Sequence, residues 1–229
     1  VISLLGGFAT PFLVSTGDGN FHVLFTYLLI LDIGMLVLAN FKKWHIINIL
    51  SFALTVLLFG IWAGGVYTDL EPRPSLVAFA FATAFFLVFF LMNLRYNLRH
   101  KQAFTALDHS LLLVNTAAYF AVGLFLLSDL TVKLTGLFTV VLGLFYLLFA
   151  LYFHRRQGIP EPLKLLLIGL VLTFVSLAAP IQLEGSHITL FWAAEAVLLL
   201  WFSQRTGLRL VERASVLVTV LMLISLAMD

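Results

Sequence analysis

The chain has no cysteine, which excludes disulfides, thiolate nucleophiles and cysteine-ligated metals. Charge is nearly as scarce. Asp, Glu, Lys and Arg make up 10% of the 229 residues, where soluble domains carry about 25%. The 13 Lys and Arg are scattered between apolar runs, and with a net charge of +2 they leave no nucleic-acid footprint. Catalytic motifs are missing too. There is no phosphate-binding glycine loop, no Gly-x-Ser-x-Gly and no histidine pair at i, i+4. His22, His45, His100, His109, His154 and His187 sit apart at the ends of apolar segments, so neither a metal nor a cofactor is expected. Nothing here specifies an enzyme.

What the sequence has is apolar length. Hydrophobic residues reach 62%, with 23 Phe, and the mean hydropathy is +1.10. Runs near 20 residues recur along the whole chain, the length needed to cross a hydrocarbon core of about 30 Å. Lipid offers the backbone no hydrogen-bond partner, so each run must satisfy itself as a helix. No strand-like alternation competes with that reading. The expected fold is all-α: a polytopic transmembrane helical bundle of about eight spans plus a partial N-terminal segment, Val1–Val14. The full spans are expected at Phe21–Phe41, Trp44–Val66, Ser75–Leu98, His109–Ser128, Leu130–Phe153, Pro162–Gln182, His187–Ser203 and Leu208–Met228. Because the chain starts inside an apolar segment, residues 1–229 are expected to form a single transmembrane domain cut from a longer multi-span protein.

The links are short. Residues 15–20 form a Ser/Gly/Asp turn cluster, Lys42-Lys43 separates two spans, and residues 68–74 form a proline-bearing loop. Gln157-Gly158 stops one helix, and Glu184-Gly185-Ser186 closes a tight hairpin. Following the alternation of spans, 11 of the 13 basic residues fall on one side, including Lys42, Lys43, Arg95, Arg99, Lys101, Arg155, Arg156, Arg205 and Arg209. Only Arg73 and Lys133 fall on the other. Cytoplasmic loops carry the Lys and Arg excess, so the Lys42, Arg95, Arg155 and Arg205 ends are expected in the cytoplasm. Trp44, Trp62, Tyr67, Tyr96, Tyr152 and Trp201 lie near span ends, where interfacial aromatics are expected. A weak echo links residues 151–158 with 200–207. Asp32 also precedes Lys42 by the same spacing that separates Glu195 from Arg205, which suggests repeated helical hairpins.

Two carboxyls stand near the middle of their spans, Asp32 and Glu195. Holding such a group at mid-membrane costs about 2.5–3.5 kcal/mol on the insertion scale. No Lys or Arg lies at the same depth, so hydrogen bonds must serve, with Asn115, Thr116 and Tyr119 as the expected partners. Two readings are open. Either carboxyl could be a relay or binding group on a transport path, or a neutral fastener between helices. Trp192 lies three residues before Glu195 on the same helix face. Ala193, Ala194 and Ala196 permit close helix approach, and Pro180 is expected to bend the preceding span.

Both ends of the chain carry motifs that point further. Leu5-Gly6-Gly7-Phe8-Ala9-Thr10-Pro11 is followed by the glycine turn, a Leu-rich helix and Lys42-Lys43-Trp44. Phe191-Trp192-Ala193-Ala194-Glu195-Ala196 is followed by Leu198-Leu199-Leu200-Trp201 and Arg205. This pattern resembles a family of large bacterial membrane proteins whose shared domain has no assigned function. The resemblance implies a helical inner-membrane protein with more spans than are present here. That family commonly carries Asn at the position of Asp32, so the resemblance favours Glu195 over Asp32 for a shared role.

The functional expectation is transport of a small solute or a lipid-linked intermediate. Glu195, Asp32, Trp192, Asn115 and Tyr119 are its candidate site residues. The alternative is a non-catalytic scaffold within an envelope or secretion complex. The expected partners are the lipid bilayer and other membrane helices, from this chain or another.

Overall fold

The computed structural model describes residues 6–8, 10, 20–39, 45–99, 104–130, 132–156 and 159–228. The partial segment Val1–Val14 and the turn at 15–20 lie largely outside these residues. The Lys42-Lys43-Trp44 link, Lys101 and Gln157-Gly158 lie wholly outside them, as do the side chains of Arg95, Tyr96 and Arg99.

Among the described residues the fold is all-α, a polytopic bundle. Its elements are α1 (Phe21–Ala39), α2 (His45–Gly64), α3 (Val66–Asp69), α4 (Ser75–Arg99), α5 (Ala106–Ser128), α6 (Thr135–His154), α7 (Glu161–Gln182), α8 (Ser186–Thr206) and α9 (Arg209–Met228). Eight of these helices are long and apolar enough to cross a membrane. They match the expected spans to within a few residues, with two differences. The span expected from Leu130 begins as helix only at Thr135, since polar Asp129 and Lys133 flank the connection. The one-turn helix α3 follows Gly65, whose N–H bonds the Ile61 carbonyl at 3.0 Å.

The chain divides into two compact units, residues 1–131 and 132–229. In the first, α1 pairs antiparallel with α2, and α4 pairs antiparallel with α5. The core is aromatic. Phe25 is fully buried; its ring stacks on Phe59 at 4.9 Å and meets Trp62, Phe81 and Phe85 edge-on. Such geometries suit the ring quadrupole. The α4–α5 seam adds polar ties. Asn115 Nδ2 donates to the Phe86 carbonyl at 3.1 Å, and the Tyr119 ring stacks on Phe86 at 4.4 Å. Ala78 and Ala82, one turn apart on α4, are buried, whereas Ala80 is exposed. One of the two alanine faces is therefore a packing face. The start of α5 is fixed by a capping box between Thr105 and Asp108.

Trp62 and Tyr67 depart from the interfacial role expected of them. They are 5% and 0% exposed, because both turn into the aromatic core. Tyr152 and Trp201 instead turn outward. They are half-exposed, and each lies under an arginine one turn later: Arg156 at 4.7 Å and Arg205 at 4.8 Å. Residues 152–156 and 201–205 thus share one arginine-over-aromatic arrangement.

In the second unit, α6 packs antiparallel on α7, and α8 on α9. Close approach in the first pair depends on glycine. A Cβ at Gly143 would stand 3.3 Å from Phe174 Cβ, and one at Gly136 would run into the Gln182 side chain. Tyr146, fully buried, stacks parallel to Phe174. The α8–α9 seam buries Ala196, Leu199, Val211 and Val218. The Thr189 and Ser225 hydroxyls bond across it at 2.7 Å. The tight turn before α8 uses Gly185 at φ +56°, and α8 ends on Gly207 at φ +67°, left-handed positions that suit glycine.

Candidate functional site

Most hydroxyls in the apolar helices bond back to a carbonyl one turn earlier. Thr116, Thr139, Thr173 and Thr219 all do so at 2.7–2.9 Å. Ser51, Thr55 and Ser176 do not, and these three hold the two mid-span carboxyls.

Asp32 is fully buried between α1 and α2. Ser51 Oγ donates to its Oδ1 at 2.6 Å, and Thr55 Oγ1 donates to its Oδ2 at 2.8 Å. The two donors are one turn apart on α2, so both reach the same carboxyl. Each carboxyl oxygen therefore has a donor.

Glu195 is 7% exposed and is held differently. Its Oε1 accepts from Ser176 Oγ on α7 at 2.7 Å. Its Oε2 is buried with no hydrogen-bond partner among the described residues. A buried polar atom left in this way costs about 1–3 kcal/mol. Trp192, one turn earlier on α8, donates its indole N–H to the Ser176 carbonyl at 3.0 Å. That carbonyl is four residues before Pro180, which lies inside α7 and has no N–H to offer it. The proline thus frees the carbonyl that the tryptophan fills, while the hydroxyl of the same serine turns to the glutamate.

Asn115, Thr116 and Tyr119 are not the partners of either carboxyl. All three face α4 or their own helix. Tyr119 pairs with Thr83 at 2.9 Å, and Thr83 also donates to the Phe79 carbonyl. The Asn115 amide is turned to the α4 backbone by the Phe86 carbonyl. The described residues thus unite Glu195 with Trp192. Asp32, Asn115 and Tyr119 each stand in bonding sets of their own. Sequence reasoning missed Ser51, Thr55 and Ser176. Their signals were available: two hydroxyls at i, i+4 in an apolar helix, and a serine four residues before a proline.

A further polar set was also missed. Fully buried Tyr67 donates its hydroxyl to Asp129 Oδ2 at 2.7 Å, and Ser75 Oγ lies 2.7 Å from the same hydroxyl. Arg73 holds the other Asp129 oxygen at 2.9 Å. This set ties α3 and the loop after it to the end of α5. Among the described residues no three His, Asp or Glu side chains group as metal ligands would.

Eight long apolar helices, with hydroxyl-bonded carboxyls at mid-span and arginines over aromatics at helix ends, define a multi-pass α-helical membrane protein. The chain belongs to the family described as Predicted membrane protein (DUF2339), whose model matches residues 1–228. No curated protein and no solved structure matches it.

Proposed function

We propose that the protein moves a small solute or a lipid-linked intermediate across a bacterial inner membrane, with Glu195 as the group that exchanges a proton or cation on the path. One observation carries this reading. Glu195 Oε2 is buried and unpaired, although the neighbouring oxygen is firmly held. Charged or neutral, Oε2 needs one more polar contact, which a relay group, a cation or a polar solute would supply. An intramembrane ionisable residue is by default a functional-site hypothesis. Trp192 holds the α7 backbone beside it, and Ser176 orients the carboxyl. The orientation proposed is that of the charge bias, with the Lys42, Arg95, Arg155 and Arg205 ends in the cytoplasm.

The test is proton flux in vesicles that hold the purified chain and a trapped pH-sensitive dye, under an imposed pH gradient. The wild-type protein raises the flux above that of empty vesicles, and Glu195→Gln returns it to their level. Equal flux from the two proteins removes the proton role.

The second reading is a membrane scaffold, and Asp32 favours it. With both oxygens held by α2, Asp32 acts as a fastener between helices. A stoichiometric partner retained in mild detergent, together with flux that ignores Glu195→Gln, would establish the scaffold instead.

A further inference from the structure

One end of the second unit is rich in arginine. α6 is antiparallel to α7, and α8 to α9. The short turn after Gln182 and the Trp192–Ser176 bond make α8 antiparallel to α7 as well. The end of α6, the start of α7, the end of α8 and the start of α9 therefore lie at one end of the unit. They carry six basic residues: Arg155, Arg156, Lys164, Arg205, Arg209 and Arg213. The lysine is held by Glu161 at 3.0 Å. Among the described residues, no acid pairs with any of the five arginines. A charge bias that sets topology is met by lysine as well as by arginine. Arginine differs in its planar fork of N–H donors, which fits two oxygens of a phosphate at once.

On α9 these cations head an apolar strip. Arg209 and Arg213 are one turn apart and both exposed, so they share one outward face. Val216, Leu217, Val220 and Ile224 continue that face along the helix and are 49–62% exposed. Val211 and Val218 take the other side of α9 into the seam with α8. Glu212, the acid in the first turn of α9, pairs with neither arginine. Arg205 is placed differently, laid over the Trp201 ring at 4.8 Å.

Two unpaired guanidinium groups above exposed aliphatic side chains complement an amphiphile with an anionic head and a hydrocarbon tail. A protein helix laid on the same strip would bury both charges unless it brought acids of its own. We propose that this face of α9 binds an anionic phospholipid, with the phosphate gripped by Arg209 and Arg213 and an acyl chain along Val216, Val220 and Ile224. The site shares no residue with the Glu195 set and stands if the transport reading falls.

Its test exploits the lack of cysteine, because a single introduced thiol takes a fluorescent label at one place. Val220→Cys puts the label on the strip. Val175→Cys puts it on α7, at a residue 39% exposed on the helix whose lysine is already paired, and serves as the control. The whole chain is reconstituted in mixed phosphatidylcholine and phosphatidylglycerol vesicles, with quenching bromines on the acyl chains of one lipid or the other. On the strip, brominated phosphatidylglycerol quenches at a mole fraction roughly tenfold lower than brominated phosphatidylcholine, in line with the surface attraction of a few basic residues. At the control position the two lipids quench alike. Arg209→Gln combined with Arg213→Gln makes them alike on the strip too. Quenching in brominated phosphatidylcholine alone stays unchanged in that variant, which shows the helix still in place. Excess inorganic phosphate at constant ionic strength leaves the preference intact. Five results would overturn the proposal: equal quenching by both lipids on the strip, an equal preference at the control position, a full preference kept by the arginine variant, loss of the preference to inorganic phosphate, or a label on the strip that no brominated lipid reaches, which would mean that another helix covers it.

Discussion

The Trp192 indole N–H donates to the Ser176 carbonyl, which is the carbonyl that Pro180 leaves without an i+4 N–H. Proline and tryptophan thus form a matched pair on adjoining helices. Trp192→Phe keeps an aromatic side chain but removes the donor, so the carbonyl is stranded at a cost of about 1–3 kcal/mol. Pro180→Ala restores a backbone N–H at that place, so Trp192→Phe should cost much less in its presence. A double-mutant cycle on detergent unfolding reads the coupling. Strictly additive effects would show that the two residues do not compensate.

Asp32 and Glu195 should differ in reactivity. Both are buried carboxyls, but both Asp32 oxygens accept hydroxyl bonds, whereas Glu195 Oε2 accepts none. Dicyclohexylcarbodiimide, an apolar reagent for carboxyls, should label Glu195 well before Asp32. Peptide mapping locates the adduct, and Glu195→Gln should remove it. Preferential labelling of Asp32 would reverse the assignment of roles.

Stability should respond the other way. Interhelical hydrogen bonds in membranes average about 0.6 kcal/mol and reach about 1.7. Thr55→Val or Ser51→Ala should each cost an amount in that range, because the remaining hydroxyl still holds one oxygen. The double variant should cost more than the two together, since it leaves Asp32 without a donor. Proton flux in vesicles should stay at the wild-type level throughout. Unfolding by denaturing detergent measures the first effect and the trapped dye the second.

The α6–α7 seam predicts a contrast between two glycines. A Cβ at Gly143 would stand only 3.3 Å from Phe174 Cβ, whereas a Cβ at Gly169 meets nothing within 4 Å. Gly143→Leu should therefore destabilise the protein by about 1–3 kcal/mol through overpacking. Gly169→Leu should stay within about 0.5 kcal/mol of wild type. Similar losses at both positions would mean that the seam tolerates separation.

Tyr67 and Arg73 both bind Asp129, but the tyrosine hydroxyl is buried and the arginine is 41% exposed. An exposed ion pair contributes at most about 1 kcal/mol, while a buried hydroxyl removed from its partners costs about 1–3. Tyr67→Phe should therefore cost more than Arg73→Gln, and its cost should not change with salt. Unfolding at two ionic strengths separates the two contributions.

The spans were legible because lipid forces each apolar run to be a self-satisfied helix. Leu130 was the exception: an apolar residue caught between Asp129 and Lys133 extended the hydrophobic pattern beyond the helix. Asp32 and Glu195 were equally legible, since a carboxyl in the middle of Leu29–Gly34 or Trp192–Ala196 has no solvent to reach. Their partners were not. Asn115 and Tyr119 are the stronger donors by type, but hydropathy does not encode which face of a helix meets which neighbour. The small hydroxyls of Ser51, Thr55 and Ser176 hardly lower the apolar character of their spans. Trp62 and Tyr67 misled for a related reason, as nearness to a span end does not say whether a ring turns outward or inward.

The two carboxyls also differ in when they can be matched during synthesis. Asp32 leaves the ribosome nineteen residues ahead of Ser51, so α1 is made before the helix that carries the donors to its acid. Glu195 follows Ser176 by the same nineteen residues and arrives to find its hydroxyl waiting. The helix that carries Glu195 is the least apolar of the eight, and it is the one that can lean on a neighbour already in place.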